Sequence, residues 1–339
     1  MQHSKEIQSM NTSDKLQKKA KIFRFIGNYG TIIGLLLMIV VFSILSPKAF
    51  PTMTNFLNVL NNASLSAIIA CGLTVVVIVG DFDMSISYIG SFAGVLVCGL
   101  MVKQHLPVAA AIIVTILVAA LIGAFNGFIV TKLNVVSIIA TIGSGSLVYG
   151  LNYMYSHGSP VLTGIPTEFN QLTLTRIGGK LPVNILYMAT VSLILWIMLN
   201  RTELGERIKA VGGNIVSAKL AGIRSDRIKI IAYIICAMCC AVTGILLASV
   251  MGAGTSSACD AYMVNSFAAV YVGSATLKDG EFHIVGTLIG VLITTIAFNG
   301  LAILGIDTYA QYLFQGFIIL FSVALSSVAR KYADRKSVV

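Results

Sequence analysis

The run PVAAAIIVTILVAALIGAFNGFIVT, Pro107–Thr131, decides the fold. It carries no charged side chain and is apolar on every side when wound as a helix. A helix at the surface of a soluble protein keeps one polar face, whereas about 20 consecutive apolar residues match a hydrocarbon core roughly 30 Å thick. Working outward, comparable runs occur at 26–45, 64–80, 86–102, 136–155, 183–199, 229–250, 262–276, 284–304 and 308–329, making ten with 107–131. The chain is therefore expected to be an all-α integral membrane protein. The segment 262–276 is short and flanked by Gly252, Gly254 and Gly273, so it is read as broken or re-entrant, an arrangement found where a segment lines a cavity or is buried in protein.

Composition agrees: 57% of the 339 residues are apolar and 11% are charged, too few polar groups to cover a soluble protein of this size. The formal net charge of +10 could indicate a nucleic-acid partner. Its Lys and Arg, however, lie between and beyond the apolar runs, with no interleaved aromatic residues, so they are read as topogenic and no nucleic acid is expected. With the N-terminus inside, 19 of the 23 Lys and Arg are cytoplasmic and only Lys48, Lys103, Arg176 and Lys180 are outside. Both termini are accordingly assigned to the cytoplasm. The expected organisation is a cytoplasmic tail at 1–25, a transmembrane domain at 26–329 and a short cytoplasmic tail at 330–339. Within the domain, 156–182 is the large outer loop and 200–229 the basic inner loop.

The sequence offers no catalytic set. Gly179-Lys180 is followed by Leu181 and lacks the upstream glycine of a nucleotide-binding loop. Neither a metalloprotease motif nor a nucleophile elbow is present, and the four histidines lie outside the apolar runs or at their ends. Cys236 and Cys239 have CxxC spacing but no His or acidic companion; like Cys71, Cys98 and Cys240 they read as small apolar residues. No catalytic residue, metal site or cofactor is expected. The pairs Gly90/Gly94, Gly123/Gly127 and Gly286/Gly290 are expected to let helix backbones approach closely.

Most informative is the inner loop, RTELGERIKAVGGNIVSAKLAGI from Arg201 to Ile223. Asn214 suits an N-cap and Gly222 the residue just past a helix end, predicting a two-turn helix over 215–221. Val216 and Leu220 share one face, with Ala218 and Ala221 offering small surfaces. So short a helix is not stable alone, and docks either on the membrane domain itself or on a cytosolic partner. Elsewhere, Asp81 and Asp83 follow the second apolar run. Three readings stand: a cap for the next helix, with Asp83 or Ser85 accepting free N–H groups; a lining of the solute path; and proton coupling. Asn126 and Asn299 lie within apolar runs and need polar partners, either on another helix or in the solute.

Four stretches together resemble the permease subunits of bacterial ABC importers of the ribose/simple-sugar type. They are Gly80-Asp-Phe-Asp83-Met-Ser85; Asn126-Gly127 leading to Ile139-Ala-Thr141-Ile-Gly143; Ala210-Val-Gly-Gly-Asn214 with Ala218 and Gly222-Ile223; and Gly286-Thr-Leu-Ile-Gly290 with Asn299-Gly-Leu and Gln311…Gly316. The resemblance runs from about residue 55 to 325. It implies a type II-like importer permease in the bacterial cytoplasmic membrane, paired with a second copy or a paralogue. A cytosolic ABC ATPase and a periplasmic or lipid-anchored solute-binding protein would complete the assembly. Gly212, Gly213, Asn214, Ala218, Leu220 and Gly222 would form the ATPase-coupling motif; Asp83, Ser85, Asn126, Thr141, Asn299 and Gln311 become candidates for the translocation path. Asp81 stands where that family has a second glycine, Val135-Val136-Ser137 lacks its prolines, and Gln315 replaces a lysine, leaving the solute open among a pentose, a hexose, another furanosyl compound, a nucleoside or an autoinducer. The competing classes are a stand-alone ion-coupled transporter and, third, a channel or membrane scaffold.

Overall fold

The computed structural model describes residues 31–274, 280–317 and 320. The terminal tails, Lys278 and most of the segment 308–329 lie outside the described residues. Along the rest run α1 (Thr31–Leu45), α2 (Met53–Ile78), α3 (Ile86–Val102), α4 (Val108–Lys132), α5 (Ser137–Ser156) and α6 (Thr167–Leu174). A two-residue hairpin follows, β1 (Arg176–Ile177) with β2 (Leu181–Pro182), antiparallel with Arg176 opposite Pro182. Then come α7 (Val183–Arg201), α8 (Glu203–Gly213), α9 (Ile215–Leu220), α10 (Ser225–Met251), α11 (Asp260–Ser274), α12 (Ile284–Ile303) and α13 (308–317).

Five of these helices, α2, α4, α7, α10 and α12, are long and apolar enough to cross a membrane. The ten expected segments differ from these five for local reasons. Helix α3 has 17 residues and α11 has 15, about 22 Å at 1.5 Å per residue. Helix α5 has 20 but is diluted by Gly, Ser, Asn and Tyr. The outer loop 156–182 is more than a polar connection: α6 docks on α10, burying Phe169 completely, with the Ser249 hydroxyl donating to the Phe169 carbonyl at 2.6 Å and lying 2.8 Å from Thr173 Oγ1.

Helices α2 and α10 form the centre. Of the most apolar stretch of each helix, 78% is buried within the chain for α2 and 61% for α10, against 22% for α4 and α7. Helix α10 packs on α2, α3 and α4; α12 packs on α2 and α11. The expected glycine contacts are present. A Cβ on Gly123 would come within 2.5 Å of the Tyr233 carbonyl oxygen and one on Gly127 within 2.7 Å of Ile230 Cα, so α4 lies on the backbone of α10. Gly286 and Gly290 meet Gly273 and Ala269 of α11 in the same way, while Gly94 and Gly244 bring α3 and α10 together. Without a hydrophobic drive in lipid, this close van der Waals contact is what joins helices.

A Cβ on Gly244 would overlap the carbonyl oxygen of Gly90, backbone that cannot rotate away. Gly244→Ala is therefore expected to destabilise the purified protein by about 1–3 kcal/mol through overpacking. Gly34→Ala meets open space and is expected to hold or raise stability by about 1 kcal/mol through helix propensity. Thermal-unfolding midpoints in detergent read both, with a fall for the first and none for the second.

Candidate functional site

Two features stand out on this frame: the break between α2 and α3, and the inner-loop helices. At the break the chain leaves α2 at Ile78 and turns through Gly80, whose φ of +87° is open to glycine without strain. Residues 81–85 are then not helical, so their backbone groups need partners from elsewhere. Two helices supply them, and a third holds the Ser85 side chain. From α5, Ser137 Oγ accepts the Phe82 N–H at 3.2 Å and Thr141 Oγ1 accepts the Met84 N–H at 2.9 Å. From α10, the Tyr233 hydroxyl donates to the Phe82 carbonyl at 3.1 Å. From α4, Asn126 Nδ2 donates to Ser85 Oγ at 2.8 Å. Asp83 closes the knot: its Oδ1 accepts the Ser85 N–H at 2.9 Å and the Ser85 hydroxyl at 2.5 Å.

Asp83, Ser85, Asn126 and Thr141 therefore come together, as one sealed cluster with each residue fully buried. Asp83 accepts both its hydrogen bonds from Ser85, the residue just before α3, in a local turn; among the described residues no side chain caps the first N–H groups of α3 itself. Asn299 is elsewhere, in reciprocal amide hydrogen bonds of 2.9 and 3.0 Å with Asn55 near the far end of α2. Gln311 is apart again, donating to the Ile306 carbonyl at 2.9 Å. Asn299 thus finds its partner on another helix and Asn126 at the break itself. Gln315 Nε2 donates to Asn265 Oδ1.

In the inner loop the predicted helix is α9, bounded as expected. Asn214 Oδ1 accepts the N–H groups of Val216 and Ser217, both at 3.0 Å. Past its end, Gly222 at φ +82° donates to the Lys219 carbonyl and Ile223 to the Ala218 carbonyl, both at 3.0 Å, the paired bonds of a Schellman stop. The two docking alternatives are resolved by face. Ala218 is 4% exposed and joins the core of the membrane domain, while Val216 and Leu220 are 63% and 85% exposed. Ala218 is thus packed inside this chain, so of the residues the resemblance places in the coupling motif it is not free surface. Gly213 meets open space, whereas a Cβ on Gly212 would overlap the Ile78 carbonyl oxygen, so α8 rests directly on the last turn of α2.

Several contributors escaped the sequence reading. Helix α8 was not expected, although Thr202 caps it and Leu204, Ile208 and Val211 recur at helical spacing; Ile208 and Val211 are buried. Lys229 pairs with Asp81 at 2.9 Å, signalled by a charge at the very start of an apolar run. Tyr233 lies four residues further on the same face, and Ser137 and Thr141 share another. On α5, Tyr149 stacks edge-on against Tyr88 with ring centres 5.7 Å apart and lies 4.8 Å from Tyr153, its hydroxyl donating to that of Tyr153 at 3.3 Å. Ser146, Gly143 and Gly150 share this exposed face.

Comparison with known proteins gives the context. Residues 55–323 match the family described as branched-chain amino acid transport system / permease component. The chain is 34% identical to the ribose import permease protein RbsC of Bacillus subtilis over 319 residues, covering 92% of this chain and 98% of that protein. It is 35% identical to RbsC of Escherichia coli over 302 residues, 88% of this chain and 92% of that one. Against the galactose/methyl galactoside import permease protein MglC of Haemophilus influenzae the identity is 31% over 318 residues, covering 89% and 94%. No solved structure matches the chain. With a family match over most of its length and relatives spanned nearly end to end, this apolar helical chain belongs to that family of transport permease components.

Proposed function

We propose that this chain is the membrane-spanning permease subunit of an ATP-driven importer for a monosaccharide, ribose or a close relative. It is a path and not an enzyme: ATP is hydrolysed by a separate cytosolic ATPase, and a solute-binding protein outside the membrane delivers the sugar. The carrying observation is α9, a short capped helix held to the chain through Ala218 while Val216 and Leu220 point outward. Two large apolar side chains on a basic, water-facing loop form a small surface shaped for a partner. The relatives named for ribose and galactoside import support the choice of solute.

In this reading ten segments cross the bacterial cytoplasmic membrane, both termini are cytoplasmic and a second copy completes the path. Helix α5 supports the pairing. Leu147, Leu151 and Met154 on one side of its exposed arc suit lipid tails. Gly143, Ser146, Tyr149, Gly150 and Tyr153 on the other do not, because hydroxyls facing hydrocarbon lose their water partners. That side faces the second copy and the solute, where phenol rings and hydroxyls match the C–H and O–H faces of a sugar. Transport follows from differential contact: the ATPase pair binds the outward- and inward-facing states unequally as nucleotide binds and leaves.

All six cysteines are buried, so added cysteines can be labelled above a low background. Thr167→Cys is expected to react with an impermeant maleimide from outside and Ser217→Cys only from the cytoplasmic side; the reverse pattern inverts the topology. Leu220→Asp is expected to weaken association with the ATPase subunit by one to two orders of magnitude, since burying a Leu contributes about 1.5–3 kcal/mol and about 1.4 kcal/mol is tenfold. Its thermal stability should stay normal. Ala218→Arg, in contrast, is expected to lower the stability of the permease itself. Co-purification and melting curves on both variants separate the two effects.

A further inference from the structure

Four side-chain ion pairs occur among the described residues, and one differs in kind. Lys132–Asp226, Arg207–Glu203 and Lys209–Glu206 are largely exposed, whereas the Asp81 and Lys229 side chains are 8% and 17% exposed at an N–O distance of 2.9 Å. A buried pair adds little net stability over an apolar contact, yet removing one partner is severe, so its retention suits the selection of one arrangement over another. Asp81 makes the pair through Oδ1 alone, leaving Oδ2 buried without a partner.

Its position gives the pair a task. Asp81 lies three residues beyond Ile78, whose carbonyl oxygen supports Gly212 of α8, and Gly80 between them supplies a turn of φ +87°. Lys229 lies on α10, which the chain enters directly from α9 through Gly222, Ile223 and Arg224. The two charges are thus tied to the α8–α9 unit at two points, one by backbone packing at Gly212 near the α8–α9 junction and one by covalent connection past the end of α9. Tyr233, one turn beyond Lys229, holds the Phe82 carbonyl, and Asp83 follows at once with its links to Ser85 and Asn126. A displacement of α8–α9 therefore strains the ion pair first and the buried cluster next.

We propose that Asp81–Lys229 is a latch, closed in this conformation and opened in the other, that transmits movement of the inner-loop helices to the α2–α3 break. Asp81 and Lys229 are positioning residues in this scheme, contacting neither ATP nor sugar, and the proposal rests on the importer reading above. The buried pair gives this chain a defined threshold for the switch. Allosteric coupling between two sites is typically five- to 150-fold, and a latch in series with other contacts falls toward the lower end.

The test uses the complete complex, this chain with its ATPase subunit and solute-binding protein, in proteoliposomes with ribose as probe. Three quantities are read: complex recovered by size exclusion, stimulation of ATP hydrolysis by the loaded binding protein, and ribose moved per ATP. The Asp81→Asn complex is expected to assemble and hydrolyse ATP at the basal rate, with stimulation and ribose per ATP falling roughly tenfold. The double exchange Asp81→Lys with Lys229→Asp is expected to bring both back to within about twofold of the starting protein. Normal coupling in Asp81→Asn overturns the latch, as does a double exchange no better coupled than the single variant. Should Asp81→Asn fail to assemble, the double exchange decides: coupling restored supports the latch, and assembly without coupling, or no assembly, overturns it. An unaltered complex that hydrolyses ATP but moves no ribose contradicts the solute assignment instead, and stimulation by the binding protein then reads the latch alone.

Discussion

The structure turns on the hydrogen bonding of a handful of backbone groups. Where α2 stops and α3 has not begun, the N–H groups of Phe82, Met84 and Ser85 and the carbonyl of Phe82 have no helical partner. A buried, unpaired backbone group costs several kcal/mol in an apolar medium, so irregular backbone persists in a membrane domain only when enclosed by protein that satisfies it. Ser137 and Thr141 of α5, Tyr233 of α10 and Asp83 do so here, and Asn126 of α4 locks Ser85. One break thereby ties α4, α5 and α10 to the junction of α2 and α3. Displacing any of them exposes an unpaired group, which makes the arrangement discrete instead of continuously deformable.

That constraint explains why the inner loop is built as it is. Gly212 brings α8 onto the last carbonyl of α2, and Ala218 tucks α9 against the same domain. Both residues are small so that the loop lies flush with the break. The larger residues Val216 and Leu220 then stand outward. The loop thus has a close inner contact and an exposed outer one, and adjoins the break. Exposed pairs such as Arg207–Glu203 on α8 contribute only about 0–1 kcal/mol and keep the loop soluble.

Much of this was legible in residue order because it depends on local chemistry. Membrane insertion follows from apolar length, and the bounds of α9 from Asn214 and Gly222, whose capping depends on residues a few positions away. The glycine pairs announced close packing since no other residue permits it. What stayed hidden depends on pairing across the chain. Nothing local says that Asp81 meets Lys229, 148 positions on, or that Asn299 turns to Asn55 and leaves the Asp83 cluster. The side of Ala218 stayed open for the same reason: a small residue on a two-turn helix suits an inner or an outer contact equally until the neighbouring helix is known. Helix α8 was missed although Leu204, Ile208 and Val211 carried its period: Gly205, Gly212 and Gly213 lower helix propensity, yet Gly205 and Gly212 are close contacts.

We propose that this chain is a path that does no work of its own and is driven through α9. Ribose uptake into proteoliposomes tests it most directly, with the binding protein supplied outside the path and the ATPase subunit either present or omitted. Concentrative uptake only with ATPase and ATP together, lost when either is left out and unaffected by dissipating ion gradients, is the predicted result. Accumulation by this chain alone, driven by a proton or sodium gradient, would contradict it.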